Sequence, residues 1–519
     1  MPTTIFVNFA KLINNLNIKM ILYITLLILL ILGCNEPEPQ KTFNDILHTE
    51  DSSIKINNYI CLVDNINNRL FSSININEIG DFIGKIKYPI NYEISIENNL
   101  VYSNQSYDFG EITIGEPISI TITKSDTLII NYDLIFTTLS TVSISSLDSI
   151  IDEPKVSSKI IINDIENNEA FQMFAGIEIR GGSSQWYQKK SYDIEFWNDS
   201  SGFETKKESL FNLRNDDDWH LDAMFIDLSR SRNILGMDIW SLFGRSNHLS
   251  FEDEARLAQR GHLVEVILND EYVGIYSMNE QLDRKQLKLS ADSGLLYKTT
   301  SWSDEILFTG INSEPEASSY WEGYVLKYPD LPIEENWNPL YDLVNLVAYS
   351  NDEEFIDNID SMIDIDNTID YWLFVNAIQA NDNGGKNMFI YRYKIGEPLA
   401  FTAWDLDLTF GNRNTIWTEN VSDEKIISNN FFGRLYDLNP NDYKSKVKAR
   451  WEQLYSNNLL SNIEERLNKK INKIITSGAN NRENNRWDIE IDYSQKLQYI
   501  VNWLEIRLHY FDNYINQYF

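Results

Sequence analysis

The stretch 381-NDNGGKNMFIYRY-393, with 404-WDLDLTFG-411 shortly after it, decides how this chain is read. Two acidic clusters stand a strand apart, each with a glycine beside it. Residues 368–380 (TIDYWLFVNAIQA) read as a helix leading in, and 388-MFIYRY-393 and 399-LAFTAW-404 read as strands. Asp382 is followed five positions later by Asn387, and the second strand delivers Asp405 and Asp407 before 409-TFG-411 closes the turn. Phosphoryl transfer asks for such a set. It needs a carboxylate to accept a hydroxyl proton, and oxygen ligands for the Mg²⁺ that bridges nucleotide phosphates.

In that chemistry Asp382 is the base, Asn387 and Asp405 hold the metal, and Asp407 supports them. The kinase catalytic loop uses the same Asp-to-Asn spacing, followed by an Asp at the end of a nearby strand. An ordinary hairpin or helix-exit turn would also use Asn-Asp-Asn-Gly-Gly, and on this stretch alone both readings stand. A third reading lies in 405-DLDLT-409, which resembles the D-x-D-x-T of haloacid-dehalogenase phosphatases. That chemistry needs a doubly wound sheet after the motif, and the residues that follow are mainly helical.

Outward from this stretch, the 519-residue chain carries a net charge of −33, which argues against a nucleic-acid partner. With 43% hydrophobic and 13% aromatic residues it can bury real cores. Lys11 and Lys19 precede an apolar run from Met20 to Leu32, then 31-ILGC-34. Positive charge followed by a short apolar run reads as a secretory signal, 1–33, and a small residue before Cys34 resembles the bacterial lipobox. The expectation is an exported, membrane-anchored lipoprotein, outer-membrane or cell-surface, with its lipid on Cys34. Met20 is an alternative start. Residues 34–54 read as a polar tether. Cys61 is then alone, so no internal disulfide can form.

Residues 55–150 alternate in short runs, as in Tyr92, Ile94, Ile96 and Ile118, Ile120, Ile122, and predict a small β-sandwich. From 151 to 519 the order is strands, then helices, an α+β pattern. Asn269-Asp270 predicts the turn of a hairpin over 263–280. Residues 229–244 predict a helix ending at Gly244. Tyr443, Val447, Trp451 and Leu454 share one helical face, and Ile463, Leu467, Ile471 and Ile474 another, with Ser461 and Glu464 as its capping box. The last helix runs through Leu497, Ile500, Leu504 and Leu508. The histidines His48, His220, His248, His262 and His509 show no metal-ligand spacing.

A Gly-rich loop occurs in 179-IRGGSSQWYQKKSYDIEF-196, where backbone N–H groups could approach phosphates and a strand lysine could reach them. Together with DWHLDAMFIDLSRSRNILGMDIW (218–240), VEVILNDEYVGIYSMNEQLD (264–283), Lys298 in LLYK, and the opening stretch, it carries a family resemblance. The chain resembles the CotH kinase family: bacterial spore-coat protein H and its secreted relatives, atypical protein kinases. It is more similar to lipoprotein members than to spore proteins.

The resemblance implies a two-lobed, protein-kinase-like domain and ATP-dependent phosphorylation of Ser or Thr on secreted or surface proteins, with Mg²⁺ or Mn²⁺. Asp382 then matches the catalytic Asp, Asp405 the metal-binding Asp and Asn387 a second metal ligand. Lys190, or its neighbour Lys189, matches the phosphate-contacting lysine, with Gly181 and Ser183 in the nucleotide loop. The stretch 276–282, with Glu280, stands where an adenine-contacting hinge would be. Glu265 is the guess for the lysine's acidic partner. A monomer is expected. The rival class is a non-catalytic surface scaffold with a degenerate kinase fold.

Overall fold

The structure is a computed structural model and describes residues 53–124, 128–413 and 424–519. The chain divides into two units, Met1–Ser53 and Ile54–Phe519. The expected signal, Cys34 and nearly all of the tether therefore lie outside the described residues. Among the described residues no helix is long and apolar enough to cross a membrane.

The first strands of the second unit form two sheets. One is ordered Tyr59–Ile60, Lys55–Ile56, Asp81–Lys87, Gln105–Glu111; the other has six strands, with Leu128–Thr137 between Arg69–Ser73 and Pro117–Lys124. Tyr92, Ile94 and Ile96 face inward while Glu93 is exposed, the period-2 pattern of a half-buried strand. This module ends at Thr137 rather than at 150, because the strand Ser140–Ser146 belongs to the next element.

That element is a closed barrel. In order it runs Ser140–Ser146, Val156–Asp164, Glu169–Arg180, Ser191–Trp197, Asp218–Asp222, Glu271–Glu280, Gly261–Leu268. Closure comes from the parallel pairing of Ser140–Ile144 with Val264–Leu268. Alternate residues fill the interior, among them Val142, Ile160, Ile194, Trp219, Leu221, Val264 and Met278. The hairpin turn is as expected: Asn269 (φ 48°) and Asp270 (φ 66°) take the left-handed conformation that a tight two-residue turn requires.

The remainder packs helices on a five-stranded sheet, Tyr320–Trp321, Tyr324–Tyr328, Leu295–Thr299, Met388–Arg392, Leu399–Ala403. Every pairing in it is antiparallel, so the doubly wound sheet needed for D-x-D-x-T phosphatase chemistry is absent among the described residues. The helix Ile365–Ala377 starts three residues earlier than expected because Asp364 caps it, accepting from the Asn367 N–H at 3.1 Å. From Asn367 onward all its residues are buried, between the sheet and the C-terminal helices.

The faces of Tyr443–Ser456 and Leu459–Thr476 are buried as their spacing predicts. The second does not use the expected Ser461–Glu464 box. It begins at Leu459 behind Asn458 (φ 56°), which leaves Ser461 inside the helix.

Candidate active site

Asp382 sits on the 3₁₀ turn Asn381–Gly384, which the helix Ile365–Ala377 presents to the sheet. Asn383 fixes this turn. Its amide nitrogen donates to the Trp404 carbonyl at 2.9 Å and to the Asn387 carbonyl at 2.6 Å, and its own carbonyl accepts from the Tyr371 hydroxyl at 2.9 Å. A buried asparagine thus ties the Asp382 turn to the strand end that carries Asp405. The two glycines are required by packing rather than by a positive φ. A Cβ on Gly384 would lie 2.5 Å from Ile427, and one on Gly385 2.7 Å from the Trp302 ring.

The strand pairing sets Met388 opposite Ala403, so Asn387 and Asp405 flare off neighbouring strand ends. The Asn387 amide nitrogen donates to the Asp405 carboxylate at 3.3 Å. Both residues have φ 58°, a conformation asparagine tolerates and aspartate adopts at some cost. Asn233, in the helix Arg232–Phe243, braces the same corner. It accepts from the Leu406 N–H at 3.1 Å and donates to Asp222 at 2.9 Å.

These groups open onto a cavity of about 500 Å³ lined by Gly181, Lys189, Asp222, Lys298, Asp382, Asn387, Asp405 and Asp407, among others. Its walls come from the barrel (Arg180, Asp222, Asn279) and from the helical half (Asp382, Asn387, Asp405). The Asp382 carboxylate is part-buried and has no hydrogen-bond partner among the described residues. Burial, then the Asp222 carboxylate, pushes Asp405 up, while Lys298 and Arg180 pull it down. Burial and the charges of Asp405, Asp222, Asp227 and Asp382 push Asp407 well above the ordinary range.

Part-buried carboxylates that repel one another are what a divalent cation relieves. Mg²⁺ characteristically takes one or two protein carboxylates and fills the rest of its octahedron with water and phosphate oxygens. The donor set Asn387, Asp405 and Asp407 fits that demand. A tighter trio, Asp216, Asp217 and Asp218, lies elsewhere, but the Lys285 ammonium already reaches it, 3.1 Å from Asp218.

The two expected phosphate lysines are both engaged. The fully buried Lys189 ammonium lies 2.8 Å from Glu483 of the helix Ala479–Trp487, also donates to the Ile275 carbonyl, and rests 4.5 Å from the Tyr276 ring. Burial pushes it down to about 7 against the pull of Glu483. Glu483 also accepts from Arg230 Nε at 2.9 Å and from the Ile275 N–H at 2.7 Å. The acidic partner is therefore Glu483 and not Glu265, whose carboxylate pairs with Arg482 at 2.8 Å.

Lys190 points the other way. Its ammonium donates to the carbonyls of Gln185 (2.6 Å) and Tyr187, which locks its own loop, and it does not line the cavity. Glu280 pairs with Arg260, accepts from the Arg214 N–H at 2.8 Å, and lines a different cavity. Of the expected hinge, Asn279 reaches the site and Glu280 does not. Gly181 (φ 98°) begins the Gly-rich turn, where a Cβ would strike the Ser184 hydroxyl at 1.9 Å. Ser183 opens the 3₁₀ turn Ser183–Trp186, and its side chain lies outside the described atoms.

Four residues of the site carried no role in the sequence reading: Arg180, Asp222, Asn233 and Lys298. Each lies in one of the segments that carry the resemblance, and Asp222 interrupts an otherwise mainly apolar run. A family model described as CotH kinase protein matches residues 177–511, a span that includes every cavity residue named above and Glu483. No curated protein matches the chain.

Proposed function

The chain belongs to the CotH kinase family, and from that premise we propose that it transfers the γ-phosphoryl group of ATP to a Ser or Thr hydroxyl of a secreted or surface protein. The barrel and the helical half are the two lobes in this reading, and the cavity between them is the nucleotide site. One observation carries it: the Asp382 carboxylate, without a hydrogen-bond partner among the described residues, opens into a cavity whose wall holds the Asn387–Asp405 pair.

Asp382 orients the acceptor hydroxyl and takes its proton as the new oxygen–phosphorus bond forms and the bond to the leaving ADP oxygen breaks. Asn387 and Asp405 would hold Mg²⁺ or Mn²⁺, with Asp407 behind them; when bound, the ion neutralises charge on the phosphate oxygens. Asn383 and the two packed glycines hold Asp382 at a fixed offset from that pair. Glu483 holds Lys189 inside the barrel wall, so that this lysine ties the C-terminal helices to the barrel beside the site.

The test is incubation of the protein with ATP and Mg²⁺ or Mn²⁺, read by intact mass on the protein and on a Ser/Thr-rich acceptor. Transfer that disappears in Asp382→Ala supports the proposal. Absence of nucleotide binding in either metal would leave the surface-scaffold reading in its place. Export belongs to the same proposal and rests on Lys11, Lys19, the apolar run and ILGC. A membrane-fraction protein whose mass carries acyl chains, lost in Cys34→Ser, is the expected result.

A further inference from the structure

With both strand lysines engaged, the question is which cations meet the phosphates. Lys298, in the strand Leu295–Thr299, lines the same cavity as Asp382 and Asp405. Its ammonium has no hydrogen-bond or ion-pair partner among the described residues. It stands 5.3 Å from the centre of the Trp404 ring and 6.0 Å from that of Phe389. Arg180 reaches the same ring, with its guanidinium carbon 5.6 Å from the Trp404 centre. Its Nε is tied to Asp193 at 3.0 Å, while its two terminal nitrogens donate to no protein group among the described residues. Trp404 immediately precedes Asp405. Two cations with unspent donors therefore converge on one indole beside the metal-binding carboxylate.

We propose that Lys298 and Arg180, seated on Trp404, form the polyphosphate-binding subsite of this cavity and take the place expected for Lys189 or Lys190. The inference rests on the phosphotransfer reading. An ammonium part-buried between aromatic rings without a counter-ion is unfavourable in the free protein. Burial, with Arg180 adding, holds Lys298 down to about 8, and Asp405 opposes this. An anionic ligand supplies the missing counter-charge, and the rings keep the ammonium from water, where it would be worth less. Arg180 offers its fork to phosphate oxygens, for which its planar geometry is suited.

The experiment is calorimetric titration of the whole protein with the β,γ-imido analogue of ATP plus Mg²⁺, and separately with adenosine. Four forms are compared: wild type, Lys298→Met, Lys298→Arg, and Lys327→Gln, which removes an exposed charge from the adjacent strand. Lys298→Met is expected to weaken the analogue about 10- to 100-fold, the range for losing a charge-assisted hydrogen bond. It is expected to leave adenosine binding unchanged, Lys298→Arg to stay within a few-fold of wild type, and Lys327→Gln to match wild type. The apolar replacement removes an unpaired charge, so Lys298→Met is expected to unfold no earlier than wild type on heating. Equal analogue affinity in wild type and Lys298→Met overturns the proposal, as does equal loss of analogue and adenosine. Failure of wild type to bind the analogue at all overturns the phosphotransfer reading instead.

Discussion

Replacing Glu483 by Gln strikes the point where the C-terminal helices hold the barrel. The carboxylate is fully buried and serves three donors: Lys189 at 2.8 Å, Arg230 at 2.9 Å and the Ile275 N–H at 2.7 Å. The amide keeps a carbonyl oxygen for one or two of them but removes the negative charge that Lys189 and Arg230 share. Lys189 can shed its proton, because burial already holds it down to about 7. Arg230 cannot, so one buried guanidinium is left without its counter-ion. Breaking a buried pair in this way costs about 3–5 kcal/mol. The assay is denaturant unfolding followed by tryptophan fluorescence, with the midpoint expected to fall at unchanged slope.

Gly274 offers the same lesion from the other side. Its φ is 103°, and a Cβ there would lie 1.9 Å from the Glu483 carboxylate. Gly274→Ala is therefore expected to destabilise to a similar degree, and the pair Gly274→Ala/Glu483→Gln less than additively. A Glu483→Gln protein within about 0.5 kcal/mol of wild type, the range of an ordinary surface change, would refute the reasoning.

Two further effects follow from the same geometry. Gly384→Ala is expected to cost about 1–3 kcal/mol, because its Cβ meets Ile427, which is buried and held by Asn376 at 2.8 Å. Gly385→Ala is expected to cost less, because the facing Trp302 is 49% exposed and can swing aside; thermal unfolding of the two variants compares them, and the reverse order would contradict the packing argument. His262, stacked on Phe211 at 4.5 Å, is held down to about 3 by burial, with Lys473 adding. Its folded value lies below the unfolded one, so stability is unaffected above pH 6.5 and falls as pH drops below it, by about 2 kcal/mol at pH 5. Denaturant unfolding at pH 7 and 5 should show that loss reduced by the same amount in His262→Phe, and an unchanged loss would remove His262 as its source.

What the sequence disclosed was local. The helix, turn, strand and D-x-D order around Asp382 is contiguous, and so is the Asn269-Asp270 hairpin; the apolar faces at Tyr443–Leu454 and Ile463–Ile474 follow from spacing alone. What it withheld was pairing at a distance. Barrel closure joins Ser140–Ile144 to Val264–Leu268, and nothing in either run names the other. Glu483 lies 294 residues from Lys189. Between Lys189 and Lys190 the choice turned on parity: adjacent residues at a strand start point to opposite sides, and only the pairing register says which faces in. Lys298 looked like a strand residue because it is one; the role proposed for it depends on a cavity assembled by stretches far apart in the chain, from Arg180 to Leu408.

The most direct test of phosphotransfer is single-turnover formation of ADP from ATP, measured side by side for wild type, Asp382→Asn and Asp405→Asn with Mg²⁺ and with Mn²⁺. Asp382→Asn is expected to lower the rate about 10²–10⁴-fold while nucleotide affinity stays within a few-fold, since the base acts on the acceptor and not on ATP. Asp405→Asn is expected to lose the metal-dependent part of nucleotide binding. Turnover by Asp382→Asn at the wild-type rate, or no turnover by wild type in either metal, would contradict the phosphotransfer reading.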